Sequence, residues 1–438
     1  MNLKSAKIII SLAILFGLTS CFSDDETSSS TQQQKDALIY AFSLSNSDIP
    51  ELANISFTID HKNEEIYNID SLTYGTKVSS VLLSITSNAA YIEAMAEATN
   101  DTVYWASSDS IDFSKPVKLK VYSYDGSVQK TYTARLNIHQ QNGSDFTWKM
   151  LTNKATNKTI SNQKTILFSD AFFSYVKVGN EVLLYVSVDG GNIWLPQSMK
   201  DFPSEPDLSN MLVFDNAINV TTASGKIFQS SIDGKNWFEK ASYIDGEVAV
   251  VKTLLGIRGV TMNGILEKSG VLYYGTSTDM NTWTISDDPI APNFPVKGFG
   301  AASNNIGLIL VSGIDKNDER LNTTWLTAHD RVWIQTVDEK INALKKVEGP
   351  ALVHYANKYY LIGGKDASGK CMEDIYVSAT NGVTWTKANS LTITDYYTPR
   401  AYASVLVVND ELMLFGGISE ANSWLDDVWS GFLNEIKF

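Results

Sequence analysis

Apolar and polar residues alternate with a period of two over many short stretches of this 438-residue chain. The alternation is plain in residues 117–121 (Val-Lys-Leu-Lys-Val) and 132–136 (Tyr-Thr-Ala-Arg-Leu), on either side of a turn at Asp125-Gly126. A period of two puts every second side chain on one face of a strand, and Asp-Gly suits the backbone of a tight hairpin. We therefore predict a β-sandwich over residues 36–142. Residues 91–98 have helical character, and a short helix or a crossing loop between strands is expected there.

A tryptophan recurs every 43 to 52 residues along the rest of the chain. The recurring residues are Trp148, Trp194, Trp237, Trp283, Trp333 and Trp385. In the clearest repeat, two apolar runs (351–355 and 358–362) lead to a Gly-Gly pair, and two further runs (374–378 and 384–387) follow. Four short strands in a period of this length are typical of one blade of a β-propeller.

Five of the six tryptophans follow a turn of small and polar residues, such as Ser187-Val-Asp189-Gly190-Gly191 before Trp194. The Asp of such a turn accepts hydrogen bonds from backbone N–H groups, and Gly or Asn takes the left-handed position. We therefore interpret the turn residues as structural, and not as catalytic acids or cation ligands. They are Asp189, Gly191, Trp194, Asp233, Gly234, Trp237, Asp279, Trp283, Gly382 and Trp385.

The turns resemble the Asp-box, and the Gly-Gly pairs with their following aromatic strands resemble kelch repeats. The resemblance implies a propeller over residues 145–438. Only 53 residues follow Trp385, enough for three strands, whereas the segment around Trp148 is a lone strand of the missing kind. We therefore predict six blades, the last one closed by the strand near Trp148, since closure removes the open sheet edges that invite aggregation.

The first 21 residues have the three parts of a bacterial secretory signal. Lys4 and Lys7 precede an apolar run at 8–18, which is too short to cross a hydrocarbon core of roughly 30 Å. The closing Leu-Thr-Ser-Cys21 resembles a lipobox, which implies that Cys21 carries a lipid anchor; the alternative is a soluble secreted protein. Residues 22–35, acidic and then rich in Ser, Thr and Gln, are predicted to be a flexible tether.

The acidic residues directly after Cys21 resemble the surface-export signal of Bacteroidetes lipoproteins, which implies display at the outer surface of the outer membrane. The alternative is an ordinary solvated linker. The formal charge of −14 argues against nucleic acid as a partner, since nucleic acid requires basic patches. Of the two cysteines, Cys21 is assigned to the lipid, so that Cys371 has no partner for a disulfide within the chain.

The sequence contains no evident catalytic, metal or cofactor motif. Its four histidines lack partners at metal-ligand spacing, and G-x-S-x-G and Walker patterns are missing. Sialidases share Asp-box turns, but they need three convergent arginines that this domain is not expected to assemble. We therefore predict no catalytic residues, no metal and no cofactor, although catalysis at an unrecognised site is left open.

Loops that lead into the first strand of each blade gather around the central channel, where propellers commonly bind ligands. The loops at 394–402 and 289–299 belong to this class and are rich in groups that stack on sugars or pair with carboxylates. The candidate ligand-binding residues are Tyr396, Tyr397, Arg400, Tyr402 and Phe294. Alternatively, these side chains pack the fold and fill the channel.

The chain as a whole resembles uncharacterised Bacteroidetes surface lipoproteins that combine an N-terminal Ig-like domain with a kelch- and Asp-box-like propeller. The resemblance implies a non-catalytic lipoprotein, held to the membrane by its lipid, whose propeller binds a glycan or another surface protein. The alternative is a polysaccharide-active enzyme, a glycosidase or lyase. It requires two carboxylates, or a Tyr/His pair, converging in the channel.

Overall fold

The structure is a computed structural model and describes residues 35–140, 143, 145–329, 331–337, 344–388 and 396–434. The chain divides into two compact units, Met1–Asn142 and Gly143–Phe438. The described part is built from β-strands, with one short 3₁₀ helix at Pro50–Asn54. The predicted all-β class is therefore confirmed. Cys21, the predicted lipid-anchor residue, and residues 22–34 of the predicted tether lie outside the described residues.

The first unit contains two sheets, one with the strand order β1-β4-β7 and one with the order β2-β3-β9-β8-β5-β6. The strands are β1 (Ile39–Ser45), β2 (Phe57–Asp60), β3 (Glu65–Asn68), β4 (Val81–Ser87), β5 (Tyr91–Ala96), β6 (Asp101–Tyr104), β7 (Ser110–Ile111), β8 (Val117–Tyr122) and β9 (Gln129–Arg135). Buried residues of both sheets, among them Phe42 and Leu119, belong to one apolar core. The period-two pattern predicted the strands β8 and β9, which pair as a hairpin with their alternate residues buried.

The prediction of a short helix or crossing loop over residues 91–98 is wrong. Residues Tyr91–Ala96 form β5, which pairs with β8 from Tyr91 opposite Tyr122 to Ala96 opposite Val117. Ile92, Ala94 and Ala96 are buried, which is the period of a strand. Ala, Met and Glu are good helix formers, but intrinsic propensity is small in free energy, and pairing with a central strand overrides it.

The second unit contains a series of sheets with four or more strands. In every one of these sheets except the last, the strands follow one another directly in the chain. The first three are formed by β11 (Asn162–Phe168), β12 (Ala171–Val178), β13 (Glu181–Ser187) and β14 (Leu195–Gln197); by β15 (Pro206–Phe214), β16 (Ala217–Thr222), β17 (Ile227–Ser230) and β18 (Trp237–Lys240); and by β19 (Tyr243–Ile244), β20 (Glu247–Val248), β21 (Val250–Arg258), β22 (Thr261–Lys268), β23 (Val271–Ser277) and β24 (Thr282–Pro289). The next two are formed by β25 (Gly300–Ser303), β26 (Leu308–Ile314), β27 (Arg320–His329) and β28 (Val332–Val337), and by β29 (Ala351–Tyr355), β30 (Lys358–Ile362), β31 (Ile375–Ser378) and β32 (Thr386–Ala388).

The last sheet joins the two ends of the unit. Its strands are β10 (Phe146–Thr152), β34 (Ser404–Val408), β35 (Glu411–Phe415) and β37 (Val428–Leu433), in the order β10-β37-β35-β34, and β33 (Arg400–Ala401) pairs separately with β36 (Ile418–Ser419). Strand β10 runs antiparallel to β37, with Trp148 opposite Gly431. The sequence predicts this partner for residues 145–150, because the C-terminal repeat lacks a fourth strand of its own.

The first strands of these sheets contact one another in a closed cycle. Strand β11 lies beside β15, and the cycle continues through β21, β25, β29 and β34 back to β11. Apolar cores lie between successive sheets, for example where Trp237 of β18 meets Tyr175 of β12 with ring centroids 5.8 Å apart. The first strands therefore surround a central space, and the tryptophans lie outside it between sheets.

Candidate functional site

A channel runs between the first strands of the second unit. It has a volume of about 420 Å³ and is lined from each of the six segments that surround it. Most lining residues are small or aliphatic, as in Leu254–Ile257 and Ala403–Leu406: the full set is Lys164, Thr165, Ile166, Leu167, Ser209, Asn210, Met211, Leu212, Val213, Leu254, Leu255, Gly256, Ile257, Phe299, Gly300, Ala301, Ala302, Ser303, Leu308, Pro350, Ala351, Leu352, Ala403, Ser404, Val405 and Leu406. A volume of this size is typical of sites for small ligands or for the end of a larger one.

One end of the channel is polar. There a smaller cavity of about 90 Å³ shares several wall residues with the channel, including Lys164 and Asn210. We call it the polar end, and its lining residues are Asn162, Gln163, Lys164, Ser209, Asn210, Lys297, Gly298, Phe299, Gly349, Pro350, Tyr402 and Ala403. Most of these residues begin the first strands or directly precede them, whereas Ser209 and Asn210 lie within β15. Amide, hydroxyl and ammonium groups from separate sheets therefore converge at one place.

Lys164 is the only charged residue among the described residues that line the main channel. Its side chain is partly buried, and within the described chain no carboxylate lies within salt-bridge distance of its ammonium group. Burial lowers the pKa of Lys164, and the negative charge of Asp207 opposes this shift. Burial disfavours the charged form of a lysine because the channel wall replaces water that would solvate the ammonium.

Two carboxylates lie close to the polar end, and both are already engaged. Asp207 accepts hydrogen bonds from Ser209 Oγ at 2.6 Å and from Asn210 Nδ2 at 2.6 Å. Glu348 pairs with Arg320, and it also accepts a hydrogen bond from the hydroxyl of Tyr402 at 2.9 Å. Other groups of the protein thus occupy both carboxylates, and within the described residues neither forms an ion pair with Lys164.

The second lysine of the polar end is paired. Lys297 Nζ lies 2.6 Å from Asp318 Oδ1, and about half of the Lys297 side chain is exposed. An exposed pair of this kind is well solvated and contributes little net free energy. Among the described residues, the polar end thus presents one ammonium without an ion-pair partner, Lys164, beside neutral donors and acceptors.

The comparisons with known proteins concern both units. The family model described as the DUF6242 beta propeller domain matches residues 142–438. The chain belongs to the DUF6242 family. A second model, the N-terminal domain of DUF6242, a domain of unknown function, matches residues 25–136. The second unit is therefore a β-propeller, and the channel described above is the central channel of the DUF6242 propeller.

Two solved structures are similar to the DUF6242 chain in fold. "Structure of YjhT" is 12% identical, with a TM-score of 0.46, and the match covers 64% of this chain and 96% of that one. An α-L-arabinanase of Penicillium chrysogenum, complexed with arabinobiose, is 11% identical, with a TM-score of 0.42, and the match covers 65% of this chain and 96% of that one. At these values the likeness carries no argument about function. A search of curated proteins finds no significant match.

One of the sequence-predicted candidates, Tyr402, lines the polar end of the DUF6242 propeller. Two others are core residues, so they correct the prediction of ligand contact. Phe294 is 0% exposed and packs against Tyr274, Trp325 and Trp333 with ring centroids 4.9 to 5.2 Å apart. A side chain that is fully buried in an apolar core cannot contact a ligand from solution.

Arg400 is the second correction. Its side chain is 1% exposed and forms a two-pronged pair with Asp427, with Nη2 2.9 Å from Oδ2. It also donates to the carbonyl oxygens of Thr398 and Gly416 at 2.8 and 2.9 Å. The arginine beside aromatic residues in this loop therefore packs the fold, because these bonds occupy the guanidinium within the protein.

The remaining candidates do not line the described channel. Tyr397 is half-buried, with its ring 4.5 Å from the Arg400 guanidinium and 6.0 Å from the ring of Trp429. Tyr396 is 86% exposed, and residues 389–395 before it lie outside the described residues. Tyr397 thus covers the Arg400 pair, and Tyr396 projects into solvent.

The predicted turn residues form local hydrogen-bonded loops away from the channel lining. Asp189 Oδ1 accepts from the backbone N–H groups of Asn192 and Ile193 at 3.1 and 3.0 Å, and Asp279 Oδ1 accepts from Asn281 and Thr282, both at 2.8 Å. Asp233 accepts from Lys235 N in the same way. The hydrogen bond from Ile193, together with others of the turn, lowers the pKa of Asp189. In the last such turn Gly382 N donates to Ser378 Oγ at 2.9 Å.

The turn tryptophans pack between sheets. Trp194, Trp237, Trp283 and Trp385 are between 2% and 9% exposed. Trp194 lies 5.9 Å from Phe415 of the last sheet, and Trp385 Nε1 donates to Thr324 of the preceding sheet at 3.1 Å. Two of these turns require a glycine. Gly191 adopts a left-handed backbone conformation (φ +94°), and a Cβ on Gly234 (φ +72°) would lie only 2.7 Å from the Phe173 ring.

Sequence reasoning missed most of the polar end, above all Lys164, Ser209 and Asn210. A signal does exist, since Asn162-Gln-Lys-Thr165 is a run of polar residues where the first strand of a blade is otherwise apolar. Within the described residues, no group of three or more His, Cys, Asp or Glu could hold a metal ion. The site therefore offers hydrogen bonding and charge pairing.

Proposed function

We propose that this DUF6242 protein is a non-catalytic lipoprotein of the cell surface whose propeller binds a glycan at the polar end of its channel. The observation that carries the proposal is that neutral donors and the Lys164 ammonium, which has no ion-pair partner among the described residues, converge from separate sheets on one end of a channel whose other walls are mostly apolar. Sugars present hydroxyls to polar groups and C–H faces to apolar ones, so such a cavity suits them. A partner protein is the alternative ligand.

We propose a finer architecture for both units. A six-bladed propeller is supported by the cycle of first strands from β11 to β34 and by the β10–β37 pairing, which completes the last sheet. A kelch- and Asp-box-like character is supported by the aspartate turns, such as that of Asp189. An Ig-like first domain is supported by two sheets around one core.

We expect occlusion of the polar end to abolish glycan binding. Ser209 is exposed at the cavity wall, and Ser209→Trp would fill the cavity with an indole ring. The measurement is binding of purified protein to a glycan array, together with pull-down of partner proteins. Ser127→Trp in the first unit is the matched control, because Ser127 donates to Asp125 Oδ1 as Ser209 donates to Asp207 Oδ1. Binding that survives Ser209→Trp would contradict the proposed site.

The alternative is a polysaccharide-active enzyme. It is favoured by one observation, that the carboxylates of Asp207 and Glu348 both lie near the polar end, with Tyr402 bonded to Glu348. Release of reducing or unsaturated sugar ends by purified protein from any polysaccharide that binds, lost in Glu348→Gln, would establish this alternative. Binding without turnover would favour the non-catalytic function.

Membrane attachment through Cys21 is a separate proposal. It is supported by the lipobox-like Leu-Thr-Ser-Cys21, which several acyl chains would convert into a stable anchor. Within the described part of the chain, no helix is long and apolar enough to cross a bilayer. We expect metabolic labelling with an alkyne fatty acid to mark the wild-type protein in the membrane fraction, and Cys21→Ala to be unlabelled. Protease treatment of intact cells then tests surface display, and equal labelling of both proteins would exclude the anchor.

A further inference from the structure

The charge at the polar end points to a narrower class of ligand. Lys164 is the only charged residue among those described along the main channel, and its ammonium forms neither an ion pair nor a hydrogen bond with any described side chain. A partly buried ammonium without a partner is unfavourable in the free protein, since the channel wall provides less solvation than water. A ligand that brings an anionic group would remove this penalty.

Asp207 acts on Lys164 only at a distance, and no described carboxylate forms an ion pair with its ammonium. Asp207 is bonded to Ser209 and Asn210, and Glu348 is bonded to Arg320 and Tyr402. Lys297, the other lysine of the polar end, already pairs with Asp318. Lys164 is therefore the cation of the polar end that is available to a ligand.

The overall charge makes this local feature informative. At −14 the chain as a whole repels anions, so an unpaired ammonium inside the channel is not part of a generally basic surface. A neutral sugar would be held sufficiently by amide and hydroxyl groups such as those of Asn162 and Ser209. The ammonium adds selectivity for charge, because a charge-assisted hydrogen bond is about twice as strong as a neutral one.

We infer that Lys164 pairs with an acidic group of the ligand, and that the ligand is a glycan bearing a carboxylate or a sulfate ester. The inference rests on the proposed glycan-binding function and narrows it. The channel volume of about 420 Å³ fits a terminal sugar or a short oligosaccharide. The carboxylate of a uronic or sialic acid carries a single negative charge, and so does the sulfate ester of a sulfated sugar. One ammonium group can neutralise either of them.

The test is a glycan array that prints each acidic glycan beside its neutral counterpart: uronic acid beside its methyl ester, sialylated beside desialylated, and sulfated beside unsulfated. Affinity for the pair that binds best is then measured by calorimetry on the full chain. We expect the acidic member to bind at least about tenfold more tightly, as is typical when a hydrogen bond to a charged group is gained. The chemical type of the best pair distinguishes carboxylate from sulfate.

Two substitutions at Lys164 separate recognition from structure. Lys164→Met is expected to reduce affinity for the acidic glycan by about tenfold or more, to the level of its neutral counterpart, and Lys164→Arg to retain part of the preference. Removal of a partly buried, unpaired charge should leave the melting temperature unchanged or raise it, whereas loss of a structural role for Lys164 would lower it. Lys149→Met, at an exposed position on β10, is the control and should bind as wild type does.

The outcomes distinguish this inference from the proposed function. Neutral glycans that bind as tightly as acidic ones, with binding lost in Ser209→Trp, would overturn the role of Lys164 and leave the glycan site standing. Acidic binding that is unaffected by Lys164→Met would overturn it as well. If no glycan of either kind binds, both proposals fail.

Discussion

Deletion of residues 145–150 is expected to prevent the propeller from folding as a soluble monomer. These residues include most of β10, which pairs with β37 from Phe146 opposite Leu433 to Thr152 opposite Val428. Without β10 the backbone of β37 becomes an open sheet edge, which promotes pairing between chains. The deletion also removes Phe146 and Trp148 from a core that contains Leu412 and Trp429.

Size-exclusion chromatography and circular dichroism measure this effect directly. The deleted protein should appear as aggregate or in the insoluble fraction, and the wild type as a folded monomer. Trp148→Ala alone is expected to cost about 3–5 kcal/mol of unfolding free energy, the usual range for a large buried aromatic. Trp148 lies over Gly431, since a Cβ on that glycine would approach the indole to 2.5 Å. A deletion variant that melts as a monomer at the wild-type temperature would disprove closure by β10.

Arg400→Ala is expected to lower the free energy of unfolding by about 3–5 kcal/mol, because it leaves the partner carboxylate of a buried ion pair without a counter-charge. The Arg400 side chain is 1% exposed and that of Asp427 is 14% exposed. The guanidinium also donates hydrogen bonds to two backbone carbonyl groups. The pair lies where β33, β36 and β37 meet. The loss should therefore affect the last sheet as a whole.

Urea denaturation followed by tryptophan fluorescence measures this loss. The control is Lys226→Ala, which breaks an ion pair with Glu239 whose side chains are 56% and 50% exposed and should cost less than about 1 kcal/mol. Replacing both partners, Arg400→Met with Asp427→Leu, should cost less than Arg400→Ala alone, since no buried charge is left unpaired. Equal stability of the Arg400→Ala and Lys226→Ala variants would contradict a buried role. Loss of binding in Arg400→Ala would report unfolding, so this variant cannot test ligand contact.

The candidate binding residues show where sequence reasoning stopped. Arg400 and Phe294 are residue types that often bind ligands, and both follow loop-like stretches. Each side chain is also of a type that packs inside proteins. The planar guanidinium of Arg400 can donate to a carboxylate and to carbonyl groups, and Phe294 is a large apolar ring. Only the positions of Asp427 and of the surrounding aromatic rings show that Arg400 and Phe294 are both buried within the fold.

Lys164 illustrates the opposite error. In the sequence it is a lysine between Gln163 and Thr165 within a strand, and such a residue is usually taken to face solvent. Its neighbours on the channel wall, Ser209 and Asn210, are more than forty residues away along the chain. The face of a first strand becomes the wall of a channel only when the sheets close into a ring.

The sequence by itself determined the all-β class, the repeat marked by its tryptophans and aspartate turns, and the lone strand around Trp148 that pairs at the C terminus. These features follow from local periods and from turns whose hydrogen bonds join residues close in the chain. Short segments of sequence are therefore enough to predict them. The tertiary structure alone decided that residues Tyr91–Ala96 are a strand, that Arg400 is buried, and that Lys164 faces a shared channel. Those outcomes depend on which distant segments of the chain surround each residue. The local sequence pattern does not determine burial, strand pairing or charge compensation between such segments.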